Sequence, residues 1–148
     1  MQSRCKPLPV WPAPRYIRVV MTTSVFIDGE VGTTGLQINE RLSPRDDIAL
    51  IHLDEDARKD VAARKAALNE ADVAILCLPD DAARESVSLI DGDTKVIDAS
   101  TAHRADEGWT YGFPEYSLGH RDAMRASARI SNPGCYALTA VAMIHPLV

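Results

Sequence analysis

No stretch of the sequence approaches the roughly 18 consecutive apolar residues that a membrane span requires. Cysteine is scarce: Cys5, Cys77 and Cys135 are far apart and odd in number, which speaks against a secreted disulfide framework. There is no CxxC and no HxxxH, and the histidines at 52, 103, 120 and 145 are scattered, so a zinc site has no support. A basic excess is also missing. The net charge is −5, which argues against duplex nucleic acid as a partner. What is present is the composition of an ordinary soluble protein: 148 residues, 46% hydrophobic and 25% charged. That length suits one domain with a real core.

Acidic residues are absent from the first twenty positions, which hold Arg4, Lys6, Arg15 and Arg18 among Pro7, Pro9, Pro12 and Pro14. Removing these four positive charges takes the net charge from −5 to −9. A targeting peptide would be basic and acid-poor as well, but it needs an amphipathic helix or an apolar run, and the prolines forbid the helix. Residues 1–23 are therefore read as a disordered extension, with Met21 a natural beginning.

From Ser24 onward, short apolar runs alternate with helical patterns. VFID (25–28), IALIHL (48–53), DVAILCL (72–78), KVIDAS (95–100) and ARIS (128–131) read as strands. The third is so uniformly apolar that it suits a strand covered on both faces. Segments 33–42, 59–70, 80–90 and 135–144 read as helices, the third capped by Asp80 or Asp81. This alternation predicts an α/β fold: a Rossmann-like, doubly wound parallel sheet with right-handed crossovers. Ligands in such sheets bind beyond the carboxyl ends of the strands. The segments to inspect are thus 29–35, 54–59, 79–81, 100–104 and 131–136.

Gly29, Gly32 and Gly35 follow the first strand as G-x-x-G-x-x-G and open the first helix. Glycines there let the backbone approach a pyrophosphate, and the helix N-terminus offers free N–H groups. Thr33 and Thr34 add hydroxyls. The spacing differs from the usual G-x-G-x-x-G, and a tight turn without a ligand is the plainer alternative. Asp54 ends the second strand where an acid commonly binds the ribose 2′-hydroxyl of NAD. Arg58 and Lys59 stand close behind and suit the 2′-phosphate of NADP, so local chemistry leaves that choice open. Cys135 follows Ser131-Asn132-Pro133-Gly134, which forces a turn just before a helix. A cysteine in a first helical turn has its thiolate stabilised by the helix dipole and nearby N–H groups, as a nucleophile requires. A buried small side chain is the alternative. Cys77, inside an apolar run, reads as an inert core residue.

The segments VFIDGEVGTTGLQI (25–38), ADVAILCLPDDAARE (71–85), VIDASTAHR (96–104), WTYGFPE (109–115) and SNPGCY (131–136) resemble the N-acetyl-γ-glutamyl-phosphate reductases of arginine biosynthesis, in their second, shorter type. SNPGCY is the most specific of them. The resemblance implies a cytoplasmic NADP-dependent oxidoreductase acting on a small acyl phosphate, and a homo-oligomer at full length. Cys135 would attack the γ-acyl phosphate to form a thioester, which hydride from NADPH reduces to the semialdehyde. Gly29, Gly32, Thr33, Thr34 and Gly35 match the nucleotide loop. Ser100 and Thr101 match positions at the nicotinamide side of the cleft, with capping of the strand end as the alternative. His103 is expected to be structural, because the family's catalytic histidine lies in a later domain. Residues 24–148 would be the NADP-binding domain, ending in the cysteine helix, with the second, substrate domain missing. An exposed apolar surface is expected where that domain would dock. Two rivals remain: a catalytically silent NADP-binding module, and a dehydrogenase of the aspartate-semialdehyde type, against which SNPGCY speaks.

Overall fold

The computed structural model describes residues 22–147. Residues 1–21 of the stretch read as an extension, Cys5 among them, lie outside the described residues. The fold is a six-stranded sheet in the order β2-β1-β3-β4-β6-β5, parallel at every pairing. It is built from β1 (Thr23–Asp28), β2 (Ile48–Ile51), β3 (Val73–Leu76), β4 (Lys95–Asp98), β5 (Thr110–Tyr111) and β6 (Arg129–Ser131). The helices are α1 (Thr33–Leu42), α2 (Val61–Glu70), α3 (Asp80–Ser88), α4 (His120–Ala126) and α5 (Cys135–Ile144). β1 takes in Thr23, the last residue assigned to the extension.

The helix limits follow local chemistry. α1 opens at the extended Gly32 and ends before Pro44, with the Ser43 hydroxyl bonded to the Asn39 carbonyl at 2.7 Å. The helical pattern from residue 59 is broken at Asp60, whose extended backbone separates a 3-10 turn (Ala57–Lys59) from α2. The Asp60 carboxylate accepts from the N–H groups of Ala62 and Ala63 and so caps the helix. The cap expected of Asp80 or Asp81 is not made. Pro79 precedes the helix, and the Asp80 carboxylate turns away to Thr101.

β1 lies second from one edge, between β2 and β3. The chain runs outward to β2, then returns to β3 on the other side of β1. The direction of winding therefore reverses between β1 and β3, and a crevice forms at their carboxyl ends. One sheet face is sealed: Phe26, Ala74, Leu76 and Val96 pack with Ala67, Leu68 and Ala71 at α2 and Ala83 of α3. The other face is thinner than the apolar run at 72–78 suggested. Ile75 and Ile97 are half-buried and line a groove of about 400 Å³ with Ile38 and Leu42 of α1. No residue of α5 is buried, and Tyr136, Met143 and Ile144 stand exposed.

Two elements went unforeseen. β5 has two residues and is fixed only by its partner, Thr110 facing Ile130 and Tyr111 facing Ser131. α4 buries nothing and is tied to β5 by His120 Nε2, 2.6 Å from the Tyr111 carbonyl oxygen.

Candidate active site

The loop after β1 is held by close approach. Gly29 has φ +90°, and a Cβ there would lie 2.4 Å from the Cys77 carbonyl oxygen, at the end of β3. A Cβ at Gly35 would lie 2.2 Å from the Gly29 carbonyl oxygen. Both glycines are thus required by the protein's own packing. Gly32 differs. Its nearest neighbour would be the same oxygen at 3.4 Å, an ordinary contact, so nothing in the fold demands a glycine. An exposed cradle that a side chain would fill is what a close-approaching ligand needs. No side chain caps α1 and no acid stands in its first turn. The N–H groups at Thr33, Thr34 and Gly35 therefore keep the positive end of the helix available to an anion. Both threonines are exposed. A dinucleotide pyrophosphate fits this loop on its donors and on its space.

Cys135 is exposed and is the first residue of α5. Gly134 precedes it, and no side chain caps this helix either. A Cβ at Gly134 would lie 2.7 Å from Arg104 Nη1, so the glycine makes room for a guanidinium beside the thiol's turn. Arg104 braces that turn, donating from Nε to the Asn132 carbonyl at 3.2 Å and from Nη2 to the Ala99 carbonyl at 3.4 Å. Thr34, Ala99, Arg104, Asn132 and Cys135 share the wall of one cavity of about 640 Å³. The starts of α1 and α5 therefore face a common space. Cys77 lies just past β3 and is half-buried. Burial, with Asp28 and Asp98 nearby, pushes its thiol up to about 11. Of the two described cysteines, only Cys135 is exposed and stands at a helix start.

Ser100 and Thr101 lie in the turn after β4. The buried Ser100 hydroxyl donates to Asp98 Oδ2 at 2.7 Å, and its amide donates to Oδ1 at 2.9 Å. His103 Nδ1 lies 2.7 Å from the same Oδ2, and its ring stacks on Trp109 at 4.2 Å. Buried and committed to Asp98, His103 is a structural member of the turn and is absent from the Cys135 cavity wall. Thr101 donates its amide and its hydroxyl to Asp80. These bonds hold the Asp80 carboxyl below the usual carboxylate range.

Arg104 was not singled out from the sequence. It stands at the end of a quoted motif, but only the tertiary structure lays it against Gly134. Asp54, one candidate for the ribose, is exposed and is not on the wall of the cavity of about 210 Å³ that Arg58 lines. A cavity of about 590 Å³ at the opposite, amino-terminal end of β1, β3 and β4 is lined by no cysteine or histidine. Among the described residues no cluster of His, Cys, Asp and Glu could hold a metal ion, and no helix is long and apolar enough to cross a membrane.

Residues 33–125 match the family model "Semialdehyde dehydrogenase, NAD binding domain". The chain is 58% identical over 129 residues to an N-acetyl-gamma-glutamyl-phosphate reductase of Chelativorans sp. (strain BNC1), an alignment covering 86% of this chain and 42% of that protein. It is 55% identical, with the same coverages, to the enzyme of that name in Mesorhizobium japonicum. It is 54% identical over 125 residues to N-acetyl-gamma-glutamyl-phosphate reductase 2 of Nostoc sp., covering 84% and 39%. The chain thus spans about two-fifths of the length of these relatives. Among solved structures, aspartate semialdehyde dehydrogenase II of Vibrio cholerae superposes with a TM-score of 0.60 at 16% identity, over 85% of this chain and 46% of that one. The aspartate semialdehyde dehydrogenase of Francisella tularensis gives 0.57 at 13% identity, over 76% and 36%. At such identities the likeness is one of fold.

Proposed function

The chain belongs to the semialdehyde dehydrogenase NAD-binding family, and from that premise we propose that it is the nucleotide-binding, nucleophile-bearing part of an N-acetyl-γ-glutamyl-phosphate reductase. In this reading residues 24–148 form the NADP-binding domain. The reaction is reduction of N-acetyl-glutamyl 5-phosphate to the 5-semialdehyde. The observation that carries the reading is the shared cavity of about 640 Å³, which sets Thr34 of the glycine loop and Cys135 on one wall.

The loop Gly29, Gly32, Thr33, Thr34 and Gly35 holds the pyrophosphate, with N–H groups aimed at its charge. The turn at Ser100 and Thr101, fixed by Asp98 and Asp80, borders the nicotinamide side. Cys135, as thiolate, attacks the acyl carbon; a C–S bond forms, the C–O bond to phosphate breaks, and phosphate leaves. Splitting the reaction through a thioester replaces one difficult step by two easier ones. Negative charge develops on the acyl oxygen and on the leaving phosphate. The open N–H groups of α5 and the Arg104 guanidinium border the same cavity as Cys135 and suit that charge; one well-placed donor of this kind is worth roughly 10²–10³ in rate. Bound NADPH supplies the hydride that reduces the thioester carbonyl. Collapse of the resulting thiohemiacetal alkoxide returns the Cys135 thiolate and frees the aldehyde.

Intact-mass analysis of the chain after exposure to the acyl phosphate tests this reading. One added acyl group is expected on the wild type and none on Cys135→Ser, and the adduct should disappear when NADPH is added. Equal labelling of both proteins would remove Cys135 from the reaction. NADPH binding without any acylation would leave a silent nucleotide-binding module.

A further inference from the structure

The turn between β4 and Arg104 is held more firmly than a strand end needs. Asp98 is fully buried, and a buried carboxylate must be met by donors. The Ser100 amide and hydroxyl already engage both of its oxygens, at 2.9 and 2.7 Å. His103 adds a further bond, from Nδ1 to Oδ2 at 2.7 Å, and its ring stacks on Trp109 at an interplanar angle of 11°. Thr101 is bonded to Asp80, and the Ala102 carbonyl accepts from Arg84. Each residue from 100 to 103 is therefore fixed, either from β4 or from α3.

Arg104 is what this turn delivers to Cys135. Its half-buried side chain leaves the turn beside His103 and crosses to the loop after β6. Nη1 lies 2.7 Å from where a Gly134 Cβ would stand, one residue before the cysteine. Nε and Nη2 donate to the Asn132 and Ala99 carbonyls, which are neutral acceptors. Among the described residues the guanidinium forms no ion pair; Asp80 feels its charge but is bonded to Thr101. The positive charge is thus left to the cavity that Arg104 and Cys135 both line. Asp98 also ties the far side, since its carbonyl accepts the Asn132 N–H at 2.7 Å.

Resting on the proposed chemistry of Cys135, we propose that Asp98 and His103 are positioning residues for that reaction: their buried bond fixes Arg104 against the Cys135 turn, with its charge open to the anionic acyl donor. His103 itself lines no wall of that cavity. A free arginine side chain spreads its charge over many rotamers, and holding it in place beforehand removes the ordering cost at the encounter. A pair that served only the fold would alter stability when broken and leave the surroundings of the thiol as they were.

Alkylation of Cys135 by iodoacetate and by iodoacetamide, followed at its own peptide by mass spectrometry, is the test. Both reagents consume the thiolate, so the ratio of their rates cancels its population and reports the positive charge beside it. Arg104→Gln should lower the iodoacetate-to-iodoacetamide ratio about two- to fivefold, the range of a partly exposed ion pair. His103→Phe keeps a ring on Trp109 but loses the donor, and should lower the ratio by about twofold or more. With both substitutions the ratio should equal that of Arg104→Gln alone, because His103 acts through the guanidinium. His103→Asn sets an amide donor near the Nδ1 position and should restore most of the ratio. Trp109→Leu removes the other hold on the ring while Asp98 stays fully bonded, and should shift the ratio in the same direction as His103→Phe. An unchanged ratio in folded His103→Phe, or in Trp109→Leu where that variant does not fold, would overturn the positioning role and leave Arg104 at the site. An additive fall in the double variant would mean a general disturbance of the loop and would overturn it too. An unchanged ratio in Arg104→Gln would remove the guanidinium from the thiol and take the proposal with it. A Cys135 that resists both reagents would remove the nucleophile reading itself.

Discussion

A methyl group added at Gly35 would stand 2.2 Å from the Gly29 carbonyl oxygen and 2.7 Å from Glu30 Cα. Both are backbone atoms, so relief needs the whole turn to shift by about 1 Å, in an interior packed too densely to give freely. The turn is itself wedged against β3, since Gly29 sits on the Cys77 carbonyl. Overpacking of this kind costs about 1–3 kcal/mol, and the backbone contacts place this case in the upper half. Against it stands the gain of about 1 kcal/mol for replacing glycine by alanine in a helix. The net expectation for Gly35→Ala is a loss of about 1–2 kcal/mol, or roughly 2–8 °C in Tm for a domain of this size. Urea and thermal unfolding would read it. Gly32→Ala is the companion: its methyl meets only one atom at 3.4 Å, and its φ of −72° suits any residue. Its stability should fall by less than about 1 kcal/mol, while NADPH affinity drops about tenfold or more because the cradle is filled. A Gly35→Ala protein as stable as the wild type would refute the tight-turn reasoning. Wild-type NADPH affinity in Gly32→Ala would remove the loop from the nucleotide site.

Alkylation at pH 8 should modify exposed Cys135 well before Cys77, whose thiol is pushed up to about 11 by burial; faster labelling of Cys77 would overturn the choice of nucleophile. Arg64 and Asp28 form a pair at 3.0 Å, with side chains 11% and 8% exposed, and Ser86 donates to the same carboxylate. Arg64→Met should therefore lower stability by about 3–5 kcal/mol, and Asp28→Asn in the same chain should restore part of it; a neutral single mutant would contradict the buried pair. The Asp80 carboxyl is held low by the Thr101 hydroxyl and amide. Its stabilisation is fully present above the ordinary carboxylate pKa of about 3.9 and is lost as pH falls through the lowered folded value. Wild type should therefore lose stability more steeply than Asp80→Asn below about pH 4, measured as urea midpoints; parallel pH profiles would sink this account.

The sequence by itself determined what depends on neighbours along the chain. Both ends of α1 and both ends of α5 fall where they were read, because Gly32, Ser43-Pro44 and Asn132-Pro133-Gly134 act within a few residues of themselves. The βα alternation, the glycine loop and the place of Cys135 at a helix start belong to the same class; its exposure does not. Tertiary structure decided everything that joins residues far apart. β5 exists only because β6 lies beside it, and two residues carry no periodicity. Apolar β3 looked as if it would be covered on both faces, but the cover depends on what packs there, and Ile75 stays half-buried. The turn at Gly134 is local, but what fills the space of its Cβ is not: Arg104, brought in from the loop after β4, lies there. Glu30, His52 and Arg58 come from three segments and become one ionic group only when β1 and β2 pair in parallel register. Local conformational preference acts through steric and capping forces within a turn or two, whereas a site is a coincidence of side chains in space, set by strand order and register.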